Sequence, residues 1–255
     1  MNDDTLIENV LEGAKKELSE SLVGVYIHGS YVIGGLKPMS DIDFLVVVNK
    51  PLSFTSKVSL VSLLSSLSGE IGSGKRYIEL SVVNMNNMLH NQLFSQIEFI
   101  YGEWIREELL QHDFKPAIAS EYTIMIAQAI QYNVKLYGEK SLSELLRPPT
   151  LIDVQQAMID NTDINLDLDD ANNKILGIMR TIYSLKYKSF TSKGDAAQSI
   201  LNEEILKDEV SLCIQSIAKQ YSTGIVQNID SKLLNLTYQE LYSVYQKIRN
   251  ELKFN

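Results

Sequence analysis

Cysteine is almost missing from the 255 residues: Cys213 stands alone, so no internal disulfide can form. With His28, His90 and His112 widely separated, no His/Cys spacing suits a zinc site either. No apolar run approaches the roughly 20 residues that a membrane-spanning helix requires. The opening MNDDTLIENV is acidic, where a secretory signal starts basic and then turns apolar. A cytoplasmic protein without a membrane partner is expected. Positive charge is also scarce, with 23 Lys and Arg against 32 Asp and Glu and a formal charge of -9. That balance repels a polyanion, so no nucleic-acid partner is expected and a cationic small molecule fits better, although net negative charge also serves solubility.

What remains is an ordinary globular composition, 45% apolar, enough for one large domain or two modest ones. Leu6, Val10, Leu11, Ala14 and Leu18 recur at helical intervals and predict an amphipathic helix over 4–20. Val23 to Ile27 predicts a strand, 42–48 a second one apolar on both faces, 56–67 a helix and 77–84 a third strand. Within that third strand Tyr77, Glu79, Ser81 and Val83 share a face. From about residue 118 helix follows helix, and Arg147-Pro148-Pro149 marks a boundary. The expected organisation is an α/β domain with a mixed sheet over 1–147, followed by an all-α helical bundle over 148–255. Its helices are predicted near 151–161, 171–188, 194–201, 205–221 and 237–252.

The chemistry concentrates in residues 25–48, VYIHGSYVIGGLKPMSDIDFLVVV. Gly29-Ser30 ends the first strand and is expected to open a helix, so that backbone amides and the Ser30 hydroxyl can cradle phosphate oxygens; Ser40 offers a second hydroxyl. An ordinary turn would explain a Gly-Ser pair by itself. Asp41 and Asp43, however, head the second strand on one face, with backbones about 6.6 Å apart. Capping accounts for Asp41 but not for Asp43, and an unpartnered carboxylate at a buried strand end costs roughly several kcal/mol. A bound Mg2+ offsets that cost. Magnesium favours a carboxylate pair plus phosphate oxygens, which points to a nucleoside triphosphate co-substrate. If the third strand lies beside the second, Glu79 joins as a third carboxylate and a candidate general base.

Farther along, Asn173, Gly177, Arg180 and Ser184 form one stripe of the helix over 171–188, suited equally to a cleft or to solvent. Asp160, Asp163, Asp167, Asp169 and Asp170 crowd the segment before it; the helix dipole suffices to explain Asp169 and Asp170, while a carboxylate cluster facing a cleft would also bind a ligand carrying amines. Gly69-Glu-Ile-Gly-Ser-Gly74-Lys75 imitates a P-loop, but Arg76 replaces the required Ser or Thr, and the segment runs from helix into strand. It is read as a connection.

Gly29-Ser30, ten intervening residues and Asp41-x-Asp43 resemble the signature of the nucleotidyltransferase superfamily that includes DNA polymerase beta. More closely, the chain resembles the aminoglycoside adenylyltransferases that inactivate spectinomycin and streptomycin. The similarity extends to Glu79-Leu-Ser-Val-Val, to Glu98-Phe-Ile-Tyr-Gly-Glu-Trp104 and to Ser192-Lys193-Gly-Asp-Ala-Ala197. The resemblance implies ATP as co-substrate and Mg2+ held by Asp41, Asp43 and Glu79. It implies Glu79 as base and drug contact, and Ser30, Ser40, Arg180, Lys193 and Tyr221 at the nucleotide. Trp104, Asp170 and Asn173 would meet an aminocyclitol or aminoglycoside, and a monomer is expected. Members that accept both drugs carry a further aspartate four positions before the one matched by Asp170; here Leu166 stands there, which favours spectinomycin. A dual streptomycin and spectinomycin enzyme is the alternative, and a protein-modifying or antitoxin-type nucleotidyltransferase a more distant one.

Overall fold

Asn2 starts the chain's first helix by accepting the Thr5 N–H at 2.8 Å, satisfying one of the helix's open amides. Asp3 and Asp4 fill the first turn and Lys15 and Lys16 the last, matching the helix dipole at both ends. The computed structural model describes residues 2–37, 40–70, 73, 75–87, 96–115, 117–162 and 165–252. His90, Asp163 and part of the 69–75 segment lie outside the described residues. The chain divides into two units, Met1–Val154 and Gln155–Asn255.

In the first unit the order is α1 (Asp3–Leu18), β1 (Leu22–His28), β2 (Ile42–Val48), α2 (Phe54–Leu67), β3 (Ile78–Asn84), β4 (Gln96–Ile97) and β5 (Phe99–Tyr101). Then come α3 (Arg106–Leu110), β6 (Ala117–Ile118), α4 (Ser120–Gln131), β7 (Val134–Tyr137) and α5 (Leu142–Leu145). Five strands form a sheet in the order β5-β3-β2-β1-β7, and β4 pairs with β6. Only β2 and β3 run parallel in the larger sheet, so it is mixed. One face packs Val25, Ile27, Phe44, Val46, Leu80 and Val82 against α1 and α2. The other packs Tyr26, Leu45, Val47 and Val83 against Ile126 and Ala129 of α4 and Leu142 and Leu145 of α5. Burial on both faces, worth about 1.5–3 kcal/mol per large apolar side chain, explains why β2 is apolar after its aspartate.

The stretch expected to be helical after residue 118 contains an exception. Tyr132 leaves the helical region, Asn133 donates to the Ala129 carbonyl at 2.8 Å, and Val134–Tyr137 pairs with β1 as an edge strand. Only Leu136 of β7 packs on the core, so the strand carries too little apolar alternation to register as a period. The short β4, β5 and β6 also escape a periodicity reading for lack of length.

The second unit begins inside α6 (Leu151–Asp160), a few residues after the proline pair. It continues with α7 (Ala171–Tyr187), α8 (Lys193–Asn202), α9 (Asp208–Thr223) and α10 (Ser231–Leu252). Ile175, Met179 and Ile182 of α7, Ile200 of α8, Val210 and Ile214 of α9 and Leu241 of α10 are all buried. Ser192 caps α8 by accepting the Asp195 N–H, and Gly224 closes α9 in the left-handed conformation. No described helix is long and apolar enough to cross a membrane.

Candidate active site

Two register matches build the site. In the antiparallel pair His28 stands opposite Asp43, and in the parallel pair Asp43 stands opposite Glu79. Opposed residues on neighbouring strands share a face, so His28, Asp43 and Glu79 form a row across the sheet. Asp41 lies one residue before β2, where the Ile42 N–H donates to the Tyr77 carbonyl at 3.0 Å and leads into β3. Burial first, then the charges of Asp43, Asp41 and Glu121, push the Glu79 carboxyl well above the usual carboxylate range. His28 is almost fully buried, and burial lowers its pKa to about 4, so it stays neutral near pH 7.

Gly29 has φ 64°, and a Cβ there would overlap the Asp43 carboxylate. Glycine is therefore required twice, for the backbone conformation and for the close approach to Asp43. The helix expected after Gly29-Ser30 is instead a three-residue 3₁₀ turn, Gly29–Tyr31, closed by Val32 N–H to Gly29 C=O at 3.1 Å. Gly34 and Gly35 follow within a turn and deprive a longer helix of propensity. A phosphate held here would meet individual amides and hydroxyls, without a helix dipole behind them. Ser40 Oγ accepts the Lys37 N–H at 2.9 Å, which leaves its proton to donate.

The carboxylates suit a divalent cation: burial and the charges of Asp43 and Asp41 penalise the Glu79 carboxylate, and a cation among them would reverse that electrostatic sign. Among the described residues, no three His, Cys, Asp or Glu side chains converge as a ready metal cage. The expected three-ligand set of Asp41, Asp43 and Glu79 is therefore not preformed, as like charges without a cation would repel. Two carboxylates completed by phosphate oxygens remain the donor set that magnesium prefers.

In the second unit four candidate residues form one connected chain. Asp170 sits at the cap of α7, yet its side chain accepts the Asn173 Nδ2–H at 2.8 Å rather than a helix amide. Asn173 Oδ1 in turn accepts from Lys193 Nζ at 3.1 Å, and that ammonium lies 5.4 Å from the Tyr221 ring centre. Along α7, a Cβ on Gly177 would meet nothing within 4 Å, so the stripe between Asn173 and the half-buried Arg180 is open. Ser184 is buried, which separates this stripe from a plain solvated face. Asp167 accepts the Asp169 N–H at 3.1 Å in a local turn, beside the partly buried Leu166.

Trp104, in the first unit, is 55% exposed on the turn Glu103–Ile105, next to the Glu103–Arg106 ion pair. It folds back over Gly102, where any side chain would collide with the indole. A large aromatic thus presents a flat apolar face to solvent beside that ion pair.

Residues 7–132 match the nucleotidyltransferase domain family. The spectinomycin 9-adenylyltransferase of Enterococcus faecalis is 33% identical over 97% of this chain and 98% of its own length. The chain belongs to the spectinomycin 9-adenylyltransferase family of nucleotidyltransferases. The aminoglycoside (3'') (9) adenylyltransferase of Klebsiella pneumoniae is 30% identical over 76% of each chain. A crystal structure of spectinomycin adenyltransferase from Enterococcus faecialis with ATP and spectinomycin superposes with a TM-score of 0.87, at 33% identity, over 96% of this chain and 100% of that one.

Two side chains at the site of this spectinomycin 9-adenylyltransferase family member carry no motif. Glu121, on the first turn of α4, adds a third negative charge around Glu79, after Asp43 and Asp41. Arg76, notable in sequence only for spoiling a P-loop, donates to the carbonyls of Lys37 and Ser40. Neither contact has a local signal, since each depends on elements far apart in the chain.

Proposed function

We propose that the protein transfers AMP from ATP to a hydroxyl of spectinomycin and releases pyrophosphate. The observation that carries this reading is the Asp43–Glu79 register with Gly29 against Asp43, in a chain of this family. Asp41 and Asp43, with Glu79 beside them, would hold magnesium, which when bound neutralises charge on the triphosphate. Ser30 and Ser40 donate to phosphate oxygens, while Arg180 and Lys193 compensate their charge and Tyr221 meets the adenine. Trp104, Asp170 and Asn173 contact the drug, whose amines favour the acidic neighbours.

Glu79 takes the proton from the drug hydroxyl as its oxygen bonds to the α-phosphorus; the bond from that phosphorus to the bridging oxygen breaks, and the electron pair leaves with pyrophosphate. A free carboxylate is a weak base, and burial with the charges of Asp43, Asp41 and Glu121 strengthens Glu79 as one by raising its pKa. Burial is the largest cause of that rise, and a cation bound beside Glu79 acts in the opposite direction. Orientation of the hydroxyl and neutralisation of the triphosphate supply the rest.

Leu166 supports spectinomycin over streptomycin, because Asp167 beside it is engaged in its own turn. The test is product mass and pyrophosphate release from purified protein, ATP and Mg2+, with each drug in parallel and with EDTA as control. An adenylyl gain on spectinomycin alone, abolished by EDTA, is expected. Modification of both drugs establishes the dual enzyme, and modification of neither overturns the reading.

A further inference from the structure

Arg76 connects three places in the first unit. Its Nε and Nη2 fork onto the Asp3 carboxylate of α1 at 3.1 and 2.9 Å, and its Nη1 donates to the carbonyls of Lys37 at 2.6 Å and Ser40 at 2.8 Å. The side chain is only 17% exposed. The Ser40 carbonyl belongs to the same rigid peptide plane as the Asp41 N–H. A hydrogen bond on that oxygen therefore orients the backbone from which the Asp41 side chain springs. The Lys37 carbonyl also accepts the Ser40 N–H at 3.0 Å, and the Lys37 N–H donates to Ser40 Oγ. Arg76 thus grips both ends of the turn that delivers Ser40 and Asp41.

We propose that Arg76, braced by Asp3, is a positioning residue that presets the Lys37–Ser40 turn, and through it Asp41, for metal and triphosphate. This rests on the adenylyltransferase reading above. Arginine is specified by the geometry: one planar group must meet a carboxylate along one edge and two carbonyls from the third nitrogen, which a lysine ammonium cannot do. The pair also explains why the α2-to-β3 connection ends in Arg76 without being a P-loop, since the guanidinium works on the neighbouring loop rather than on phosphate.

The experiment compares wild type, Arg76→Ala, Arg76→Lys and Asp3→Asn. Mn2+ binding is read by electron paramagnetic resonance with α,β-methylene-ATP, and amide exchange of the peptide spanning 30–41 by mass spectrometry. Melting temperatures and steady-state kinetics complete the set. Outer-shell partners of metal ligands typically carry about 10–100-fold in affinity, so Arg76→Ala is expected to weaken Mn2+ binding at least tenfold and to speed exchange. Its kcat falls while KM for spectinomycin stays near wild type. Arg76→Lys lies between, and Asp3→Asn shifts the same readouts less. A lower melting temperature with wild-type Mn2+ affinity and exchange would make Arg76 a stability staple only and overturn the inference. Should Arg76→Ala not fold, Arg76→Lys and Asp3→Asn decide the question through the same readouts. Absence of product from wild type sinks the functional reading instead, and Mn2+ affinity still decides the role of Arg76.

Discussion

Replacing Gly29 by alanine tests the core of the site with one methyl group. The left-handed backbone at φ 64° alone costs about 1–2 kcal/mol for a residue with a Cβ. The added carbon would also overlap the nearer Asp43 carboxylate oxygen and stand 2.8 Å from Asp43 Cγ, closer than packed atoms tolerate. Either the turn or Asp43 must shift by about an ångström, a displacement that costs roughly 100-fold in rate. Strain and repacking together predict a stability loss of about 2–4 kcal/mol. At about 2–4 °C per kcal/mol for a chain of this size, melting falls by roughly 5–15 °C. Pyrophosphate release at 25 °C with saturating ATP and spectinomycin reports the rate, and calorimetry the stability. A double mutant separates the two contributions: Asp43→Ala in the Gly29→Ala background removes the clashing oxygen, so part of the lost melting temperature returns while activity does not. Turnover above half of wild type in Gly29→Ala, or a double mutant no more stable than the sum of the singles, would refute the reasoning.

Glu79→Gln should abolish at least about 100-fold of the turnover and yet stabilise the metal-free protein at neutral and alkaline pH. The sign follows from the raised folded pKa: the contribution of Glu79 to stability is complete below the ordinary value of 4.5 and is lost as pH rises through the folded value. The variant's advantage in calorimetry should therefore shrink toward pH 4.5, and a Glu79→Gln protein less stable than wild type at pH 8 would contradict it. Lys193→Met removes a charged donor to Asn173 and a cation beside Tyr221. A loss of about 1.5–3 kcal/mol predicts KM for ATP rising roughly 10–100-fold with little change in melting, and an unchanged KM would exclude Lys193 from the nucleotide site.

Local periodicity reveals much of this fold. The apolar run of β2 and the alternation of β3 are readable because both strands are buried and a two-residue period tolerates no slip. The helices of the second unit are readable from their spacing, although α10 starts six residues before the expected 237. Asp43 beside Glu79 is legible only conditionally, since it requires β3 to dock parallel to β2, a tertiary event. Asp170 and Asn173 are three apart on one helix and thus locally predictable as neighbours. The contacts of Lys193 with Asn173 and Tyr221 join three helices and have no sequence period. β7 hides because it is short and half in solvent. The 3₁₀ turn after Gly29 passes for a helix start because glycines suited to cradling phosphate are also the residues that stop a helix.

The parallel pairing of β2 and β3 has a bearing on how the protein fails. Both strands lie inside the sheet with neighbours on each edge, so their amides are of the class that opens only when the whole unit unfolds. Asp43 and Glu79 therefore cannot drift apart gradually as stability is eroded by distant substitutions. Random damage elsewhere in the unit should lower the number of working molecules in a population while leaving turnover per folded molecule intact. A host carrying such variants would lose protection by dose, and raising expression would restore it.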